Sequence, residues 1–288
     1  MAGGVPLHGP YVPTVGLAGA AWDGRRLWLT DIEGRLLAID GQGYEVVVDE
    51  QLPEPVADNT GLLLAPGKEL WAITIPEPGR GAGATVLRID THSGEVTAAS
   101  LGGGLPFGQG VVHGGLLVVA DFERGIVSID PRDGSSRRLL PPKVTPNLVQ
   151  ITGEGDVWVV DDSLRRVIRF DPDGDRAADA VLDSPIAAMT LDAIGNLWLA
   201  EGSAVVRLNG AAEVTSEIGG FTNASRLHRC GPWLVVSDSD TGDIAWIDPR
   251  SAALSRRDST GDGVVVACDE GGAWLATTDG SIALLPPP

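Results

Sequence analysis

The feature that most constrains this chain is an internal repeat, which recurs about every 40 residues along its whole length. Each copy contains a short apolar strand that ends in a small or acidic residue. The seven copies are centred on Trp28, Trp71, Val118, Trp158, Trp198, Val235 and Trp274. Repeats of this length are structural units that bury their cores against neighbouring copies, so one architecture is expected to organise the whole chain.

Each copy also predicts three further strands. An apolar run joined by a glycine turn precedes the central strand, as in Thr190–Trp198. A strand ending in Ile-Asp follows, as in Leu37–Asp40, and then a turn such as Asp171–Gly174 and a weaker strand. Four antiparallel strands form the blade of a β-propeller. The sequence therefore predicts an all-β fold, a seven-bladed β-propeller with four-stranded antiparallel blades, formed by residues 1–288 as a single domain.

The two ends of the chain suggest how the ring closes. The last repeat lacks a fourth strand, because the chain ends at Leu284–Pro288. Tyr11–Val15 precedes the first full blade, and we expect it to supply this N-terminal closing strand. Pro13 fits there, because proline is tolerated at a sheet edge. The repeat tryptophans are predicted to pack between blades as core residues.

The charge of the chain excludes some partners. The formal net charge is −18 and the isoelectric point is near 4.4, so phosphate backbones and anionic membrane surfaces would repel it. The N-terminus lacks a basic segment followed by an apolar stretch, and no later run approaches the roughly 18 apolar residues of a membrane helix. We therefore expect a cytoplasmic monomer that binds neither nucleic acid nor membrane.

The chain has two cysteines, Cys230 and Cys268, at similar positions of adjacent repeats. This placement allows a disulfide. We interpret the two residues as separate thiols, which are small enough to serve as core or turn residues.

Polar residues recur where a propeller usually has its binding site, in the loops that cluster at one end of the central channel. The candidate catalytic carboxylates there are Asp58, Asp161 and Asp262. The candidate substrate-binding residues are Asn59, Phe107, Gln109, Asn147, Asn223 and Arg226. A small-molecule ligand at this funnel is the partner that these residues predict.

Some of these residues have a second interpretation. The amide and carboxylate oxygens of Asn59, Asn147, Asn223, Asp58 and Asp262 suit a divalent cation such as calcium or manganese. The same residue types are also good turn formers. Both interpretations stay open, and no other cofactor is predicted.

Arg226 stands out because the equivalent strands, such as Leu62–Leu64 and Val264–Val266, are apolar. A guanidinium at this position would clamp a carboxylate or phosphate of a ligand, or it would neutralise acidic residues around it. The long loop Thr74–Gly83 is either a lid over the funnel or a tolerated insertion.

The positions of the four histidines argue against a histidine-based site at the funnel mouth. His8 lies near the N-terminus, and His92, His113 and His228 lie near turns at the end opposite the predicted funnel mouth. A histidine triad or a histidine metal cage at the mouth is therefore not expected.

The repeats resemble the NHL-like propellers, a group that includes the virginiamycin B lyase and gluconolactonase/regucalcin families. The segment Pro185–Ala200 is similar to a gluconolactonase-type blade, and Pro146–Asn147 is similar to the asparagine ligand segment of that family. The chain departs from that family at Ile186 and Ala187, where the resemblance would place an aspartate, and from the lyase family in having no histidine at the starts of the inner strands. The resemblance implies a related scaffold with a diverged site.

Two functions remain after this comparison. The leading hypothesis is a soluble propeller enzyme, a lyase, hydrolase or isomerase, that acts on a small polar or anionic metabolite with carboxylates as acid and base. The alternative is a non-catalytic propeller that binds a protein or small ligand through one face. A binder of this kind is expected to expose an apolar patch that includes Phe107, Phe122 or Phe221.

Overall fold

The structure is a computed structural model, and it describes residues 17–42, 45–53, 62–65, 67, 69–74, 84–100, 110–121, 124–141, 146–161, 163–261, 263–277 and 281–288. The regular structure within these ranges is entirely β-strand, and neighbouring strands pair in antiparallel fashion. No helix capable of spanning a membrane occurs in this part of the chain. The all-β prediction is confirmed.

The first compact unit, Val15–Val149, contains three four-stranded sheets. Its first sheet consists of β1 (Leu17–Trp22), β2 (Arg26–Asp31), β3 (Arg35–Asp40) and β4 (Val46–Gln51). The second consists of β5 (Leu62–Ala65), β6 (Glu69–Thr74), β7 (Thr85–Asp90) and β8 (Val96–Ser100). The third consists of β9 (Val111–His113), β10 (Leu116–Asp121), β11 (Gly125–Ile129) and β12 (Ser136–Leu140).

A second compact unit contains Gln150–Pro288, and its first strand begins slightly earlier, at Pro146. The first sheet consists of β13 (Pro146–Ile151), β14 (Val157–Asp161), β15 (Arg166–Phe170) and β16 (Arg176–Val181). The next sheet has six strands, β17 (Ile186–Leu191), β18 (Leu197–Leu208), β19 (Val214–Cys230), β20 (Trp233–Asp238), β21 (Asp243–Asp248) and β22 (Ala253–Ser259). The last has three, β23 (Val264–Asp269), β24 (Gly272–Ala276) and β25 (Ile282–Leu285).

The predicted number of blades is wrong. The described residues form six sheets, not seven. The repeats centred on Trp198 and Val235 share the six-stranded sheet, because β19 is 17 residues long and crosses from one repeat into the next. Its first half pairs with β18, as in Val205↔Ile218, and its second half pairs with β20. The boundary between the two repeats therefore lies inside one continuous strand.

The prediction for the last repeat is confirmed within the described residues, where β23–β25 form a three-stranded sheet. The strand expected to complete it, at residues 11–15, lies outside the described residues, as does most of the Thr74–Gly83 loop. The single-domain assignment of residues 1–288 stays a prediction.

The repeat tryptophans are core residues, as predicted. Those at the centres of β2, β6, β14, β18 and β24 are at most 4% exposed. Several indole N–H groups also find an acidic partner close in sequence. Trp28 donates to Asp23 at 2.8 Å, and Trp198 donates to Asp192 at 3.0 Å. Each such bond anchors the start of the central strand to the turn before it, and it satisfies a donor that would otherwise be buried without an acceptor.

The aspartates that end the central strands have a structural role in the turns that follow. Asp31, Asp121, Asp161 and Asp238 each accept a backbone N–H from two or three residues further along the chain. This Asx geometry fixes the start of the connection to the third strand. The acidic residue in the repeat pattern is thus explained by turn formation.

Candidate functional site

The nine predicted site residues fall into two groups. Five of them, Asp58, Asn59, Phe107, Gln109 and Asp262, lie outside the described residues. Asn147 lies in β13, Asp161 ends β14, and Asn223 and Arg226 belong to β19. The structure therefore brings Asn223 and Arg226 onto one strand. The assignment of all nine residues to a site stays a prediction.

Asp161 forms a turn in the described structure. Its Oδ1 accepts the backbone N–H of Ser163 at 3.1 Å and also the hydroxyl of that residue. Its backbone carbonyl accepts the N–H of Leu164 at 3.0 Å. The carboxylate is occupied by its own turn, and these contacts give no sign of a catalytic role.

Asp238 organises the part of β19 where the candidate residues lie. Its buried carboxylate accepts the backbone N–H of Thr222 at 2.6 Å and that of Asn223 at 3.1 Å. It also accepts the N–H groups of Asp240 and Thr241 at 3.2 and 3.4 Å. Desolvation pushes the pKa of Asp238 upward, but these four donors outweigh it and hold the pKa below its usual value. An ionised side chain thus fixes the chain four residues before Arg226.

Asn223 takes part in the same turn. Its side-chain amide donates to Oδ1 of Asp240 at 3.1 Å, and its carbonyl accepts the N–H of Ser239 at 3.0 Å. These bonds support the interpretation of Asn223 as a turn former. They also hold β19 against the end of β20.

Arg226 is the unusual residue of the strand. Its side chain makes no hydrogen bond and no ion pair with the described residues, and it is exposed to solvent. Enough protein nevertheless surrounds it that desolvation lowers the pKa of the guanidinium. The guanidinium is thus both exposed to solvent and partly desolvated by the protein around it. Among the described residues, no carboxylate shifts this pKa, so within that part of the chain nothing supports the interpretation of Arg226 as neutralising nearby acids.

Sequence reasoning missed His228, which lies two residues after Arg226 in β19. Side chains at i and i+2 of a strand share one face, about 7 Å apart. Desolvation and the charge of Arg226 lower the pKa of His228 to about 4, while a hydrogen bond to the backbone of Val265 acts in the opposite direction. The imidazole is therefore neutral at pH 7. The same-face spacing from Arg226 is the signal in the sequence that points to His228, whereas its position near a turn points away from the funnel.

The two cysteines form a disulfide, so their interpretation as separate thiols is wrong. Cys230 and Cys268 join β19 to β23, with a Cα–Cα distance of 5.2 Å and a sequence separation of 38 residues. Cys230 follows Arg226 and His228 at the same two-residue spacing, and it packs with Val265 and Trp246 in a buried cluster. The face of β19 that carries the arginine and the histidine is thus the face directed at β23.

Glu201 is a second group with an altered ionisation. Desolvation, together with the charges of Glu217 and Asp183, raises the pKa of Glu201. Its Oε2 is buried and has no hydrogen-bond partner within the described ranges. Glu201 is not among the described groups that shift the pKa of Arg226, so the two residues are separate features.

The structure gives no direct support for a metal centre. Within the part of the chain that the structure describes, no three His, Cys, Asp or Glu side chains are arranged to hold a metal ion. Three residues of the predicted calcium or manganese site, Asp58, Asn59 and Asp262, are not in that part of the chain. The cation site therefore stays a prediction.

Comparison with known proteins identifies the fold. No protein-family model and no curated protein matches the sequence. Virginiamycin B lyase from Staphylococcus aureus matches with a TM-score of 0.75 and 17% identity over 97% of this chain and 98% of the other. A catalytically inactive histidine-to-alanine variant of the same enzyme, crystallised with quinupristin, matches with a TM-score of 0.74 and 17% identity over 96% and 97% of the two chains. YCF48 bound to D1 peptide matches with a TM-score of 0.71 and 11% identity over 100% and 98%. The chain has a β-propeller fold like that of the virginiamycin B and streptogramin B lyases.

Proposed function

We propose that this chain is an enzyme that binds a small anionic metabolite at Arg226, in the second compact unit, and acts on it with the help of His228. The observation that carries the proposal is the guanidinium of Arg226, which is partly desolvated and has no counter-ion among the described residues. A chain with a net charge of −18 has many carboxylates available to pair with an arginine. Arg35, Arg88 and Arg169 are all paired in this way. An arginine without such a partner is suited to an anion from outside the protein.

His228 narrows the chemistry of that anion. Because the pKa of His228 is lowered to about 4, its imidazole is neutral at pH 7. A neutral imidazole has only one N–H, so its second nitrogen is left as an acceptor. A ligand that satisfies both residues carries an anionic oxygen for Arg226 and a hydroxyl for His228. We therefore propose a hydroxy acid or a related hydroxylated anion as the substrate class.

The same nitrogen of His228 can accept a proton from the substrate hydroxyl or from the adjacent carbon. A bound anion would offset the charge of Arg226 and raise the pKa of His228 toward the range of a useful base. This assignment replaces the carboxylate base expected from the sequence, because no carboxylate acts on Arg226 among the described residues. Lyase chemistry is the reaction class we favour, since the structures with this fold include virginiamycin B lyase and streptogramin B lyase.

A non-catalytic binding protein is the second candidate, and the likeness to YCF48 bound to D1 peptide favours it. Against it, Phe221 is only 6% exposed and belongs to a buried cluster, so it cannot contribute to an apolar docking patch. The other two residues of that predicted patch, Phe107 and Phe122, lie outside the described residues.

The proposal is tested by measuring the binding of malate and succinate, which differ by one hydroxyl, with isothermal titration calorimetry. We expect Arg226→Ala to weaken malate binding by about tenfold or more, since a charged hydrogen bond contributes about 1.5–3 kcal/mol. Arg229→Ala is the matched control, because Arg229 is an exposed arginine of the same strand whose side chain points to the other face. Equal malate affinity of the two variants would overturn the proposal.

The role of His228 has its own readout. The parent protein is expected to prefer malate over succinate, and His228→Leu is expected to remove that preference while anion binding itself persists. A protein that binds both acids equally, before and after the substitution, contradicts the assignment of a hydroxylated substrate.

A further inference from the structure

The disulfide lies in line with the proposed anion site. Arg226, His228 and Cys230 occupy every second position of β19, so their side chains share one face of the strand. Cys230 is bonded to Cys268 of β23. The covalent link is therefore two positions from the imidazole and four from the guanidinium.

Strand β23 also contacts His228 and the strand beside it. The backbone of Val265 lies close enough to the imidazole to act on its pKa, and its N–H donates to the hydroxyl of Ser237 at 3.0 Å. Ser237 is paired with Arg226 in the register of β19 and β20. The position of β23 thus determines where the imidazole is held relative to the guanidinium.

These contacts are weak compared with a covalent bond. Besides the disulfide, β19 and β23 share a buried apolar cluster, in which Cys230 packs with Val265. Separate sheets have no ladder of backbone hydrogen bonds between them, and β19 and β23 belong to different sheets. The disulfide is the one covalent link between these strands, and it is attached at the end of β19 nearest His228.

We propose that the Cys230–Cys268 disulfide positions His228 beside Arg226, so that anion binding is strong in the oxidised protein and weak after reduction. This inference rests on the proposed function, and it adds regulation by thiols to the same site. Cys268 is partly exposed, which gives a reductant access to the bond. A dithiol reductant transfers two electrons and two protons to the bond, yielding two cysteine thiols and the oxidised, disulfide form of the reductant.

The experiment compares oxidised protein with protein reduced by dithiothreitol, and it has two readouts. Malate affinity is measured by calorimetry, and the pKa of His228 is measured by NMR titration of its ring protons. We expect reduction to weaken malate binding by about fivefold or more, the lower end of typical coupling between sites. We also expect the pKa of His228 to rise from about 4 toward 6.5, as water and distance replace the packed environment.

A variant separates loss of the bond from effects of the reductant. Cys230→Ala with Cys268→Val keeps both positions apolar, and it should show weak binding without any reductant and no further change on adding it. Circular dichroism checks that reduced and variant proteins remain folded, and if the variant does not fold, the reduced parent supplies the same comparison.

The outcomes distinguish the two proposals. If malate binding depends on Arg226 but is unchanged by reduction, and the pKa of His228 does not move, the positioning role of the disulfide is refuted. If malate binding never depends on Arg226, the proposed function fails, and the His228 titration alone decides whether the disulfide positions the imidazole.

Discussion

Replacement of Asp238 by alanine removes the acceptor that holds the middle of β19, at Thr222 and Asn223. The carboxylate receives four backbone N–H groups, and two of them, from Thr222 and Asn223, belong to β19. Its Oδ2 serves Thr222 alone, while Oδ1 serves the other three donors. Because the side chain is only 1% exposed, water cannot take over the contacts to β19 without a rearrangement of the chain.

The size of the effect follows from those contacts. Hydrogen bonds to a charged acceptor contribute about 1.5–3 kcal/mol each, and the two to β19 are the shorter pair. The donors from Asp240 and Thr241 belong to exposed residues, so water can replace the carboxylate there. We expect Asp238→Ala to lower the free energy of unfolding by about 3–5 kcal/mol. If all 288 residues unfold together, the melting temperature falls by about 5–8 °C.

Asp238→Asn is the sharper variant. Its amide oxygen can keep the contacts of Oδ1, but its NH₂ group then faces the N–H of Thr222, so we expect a loss of about 2–3 kcal/mol. The pH dependence provides a second check. The pKa of Asp238 is lowered by folding, so its contribution is present above the unfolded pKa of about 3.9 and is lost as the pH falls through the lower folded value. The asparagine variant should lack this acid-dependent loss.

Urea unfolding followed by circular dichroism measures all three proteins. The matched control is Asp248→Ala, a half-buried aspartate at the end of β21 that accepts one backbone N–H and one hydroxyl, for which we expect about 0.5 kcal/mol. If Asp238→Ala and Asp248→Ala destabilise the protein equally, the reasoning from buried backbone donors is refuted.

Two further comparisons use matched positions. Trp198 and Trp246 are both fully buried, and each ring lies beneath an arginine side chain. The indole N–H of Trp198 donates to a carboxylate, whereas that of Trp246 has no acceptor among the described residues. Trp198→Phe should therefore cost about 1–2 kcal/mol more than Trp246→Phe in urea unfolding, and equal costs would contradict it. Gly125 and Gly24 both have φ near +90°, but an added Cβ would lie 2.4 Å from a backbone oxygen only at Gly125. Thermal melts should show that Gly125→Ala costs about 3 kcal/mol and Gly24→Ala about 1 kcal/mol, and a smaller cost at Gly125 would refute the clash.

The central strands could be predicted from the sequence because the repeat sets their spacing along the chain and shows which of their residues are buried. Every predicted central strand, from Trp28 to Trp274, is a strand with a buried centre. The number of sheets was not readable in the same way. Counting repeats assumes that a loop separates each pair, but Val214–Cys230 continues as one strand through the position of that loop. The residue pattern at that position does not indicate that one strand pairs with β18 and then with β20.

The candidate site was only partly predictable. Arg226 was visible as a charge in a strand whose equivalents are apolar, and the structure gives it no protein counter-ion among the described residues. His228 was missed because its place near a turn was weighed above its two-residue spacing from Arg226. The disulfide depends on two strands 38 residues apart reaching a Cα–Cα distance of 5.2 Å, which two cysteines alone do not determine. Turn formation accounts for the described contacts of Asp161, whose catalytic assignment stays a prediction.

Strand β19 is shared by two repeats that otherwise look like independent copies. In repeat proteins each unit can open with only the loss of its interfaces, so amide protons in neighbouring units can exchange at different rates. Here β19 pairs with β18 of one repeat and with β20 of the next. The backbone hydrogen bonds of one repeat therefore cannot open without disturbing those of the other. The amides of β18 and β20 should consequently open as one cooperative block, and the segment that carries Arg226 and His228 lies inside it.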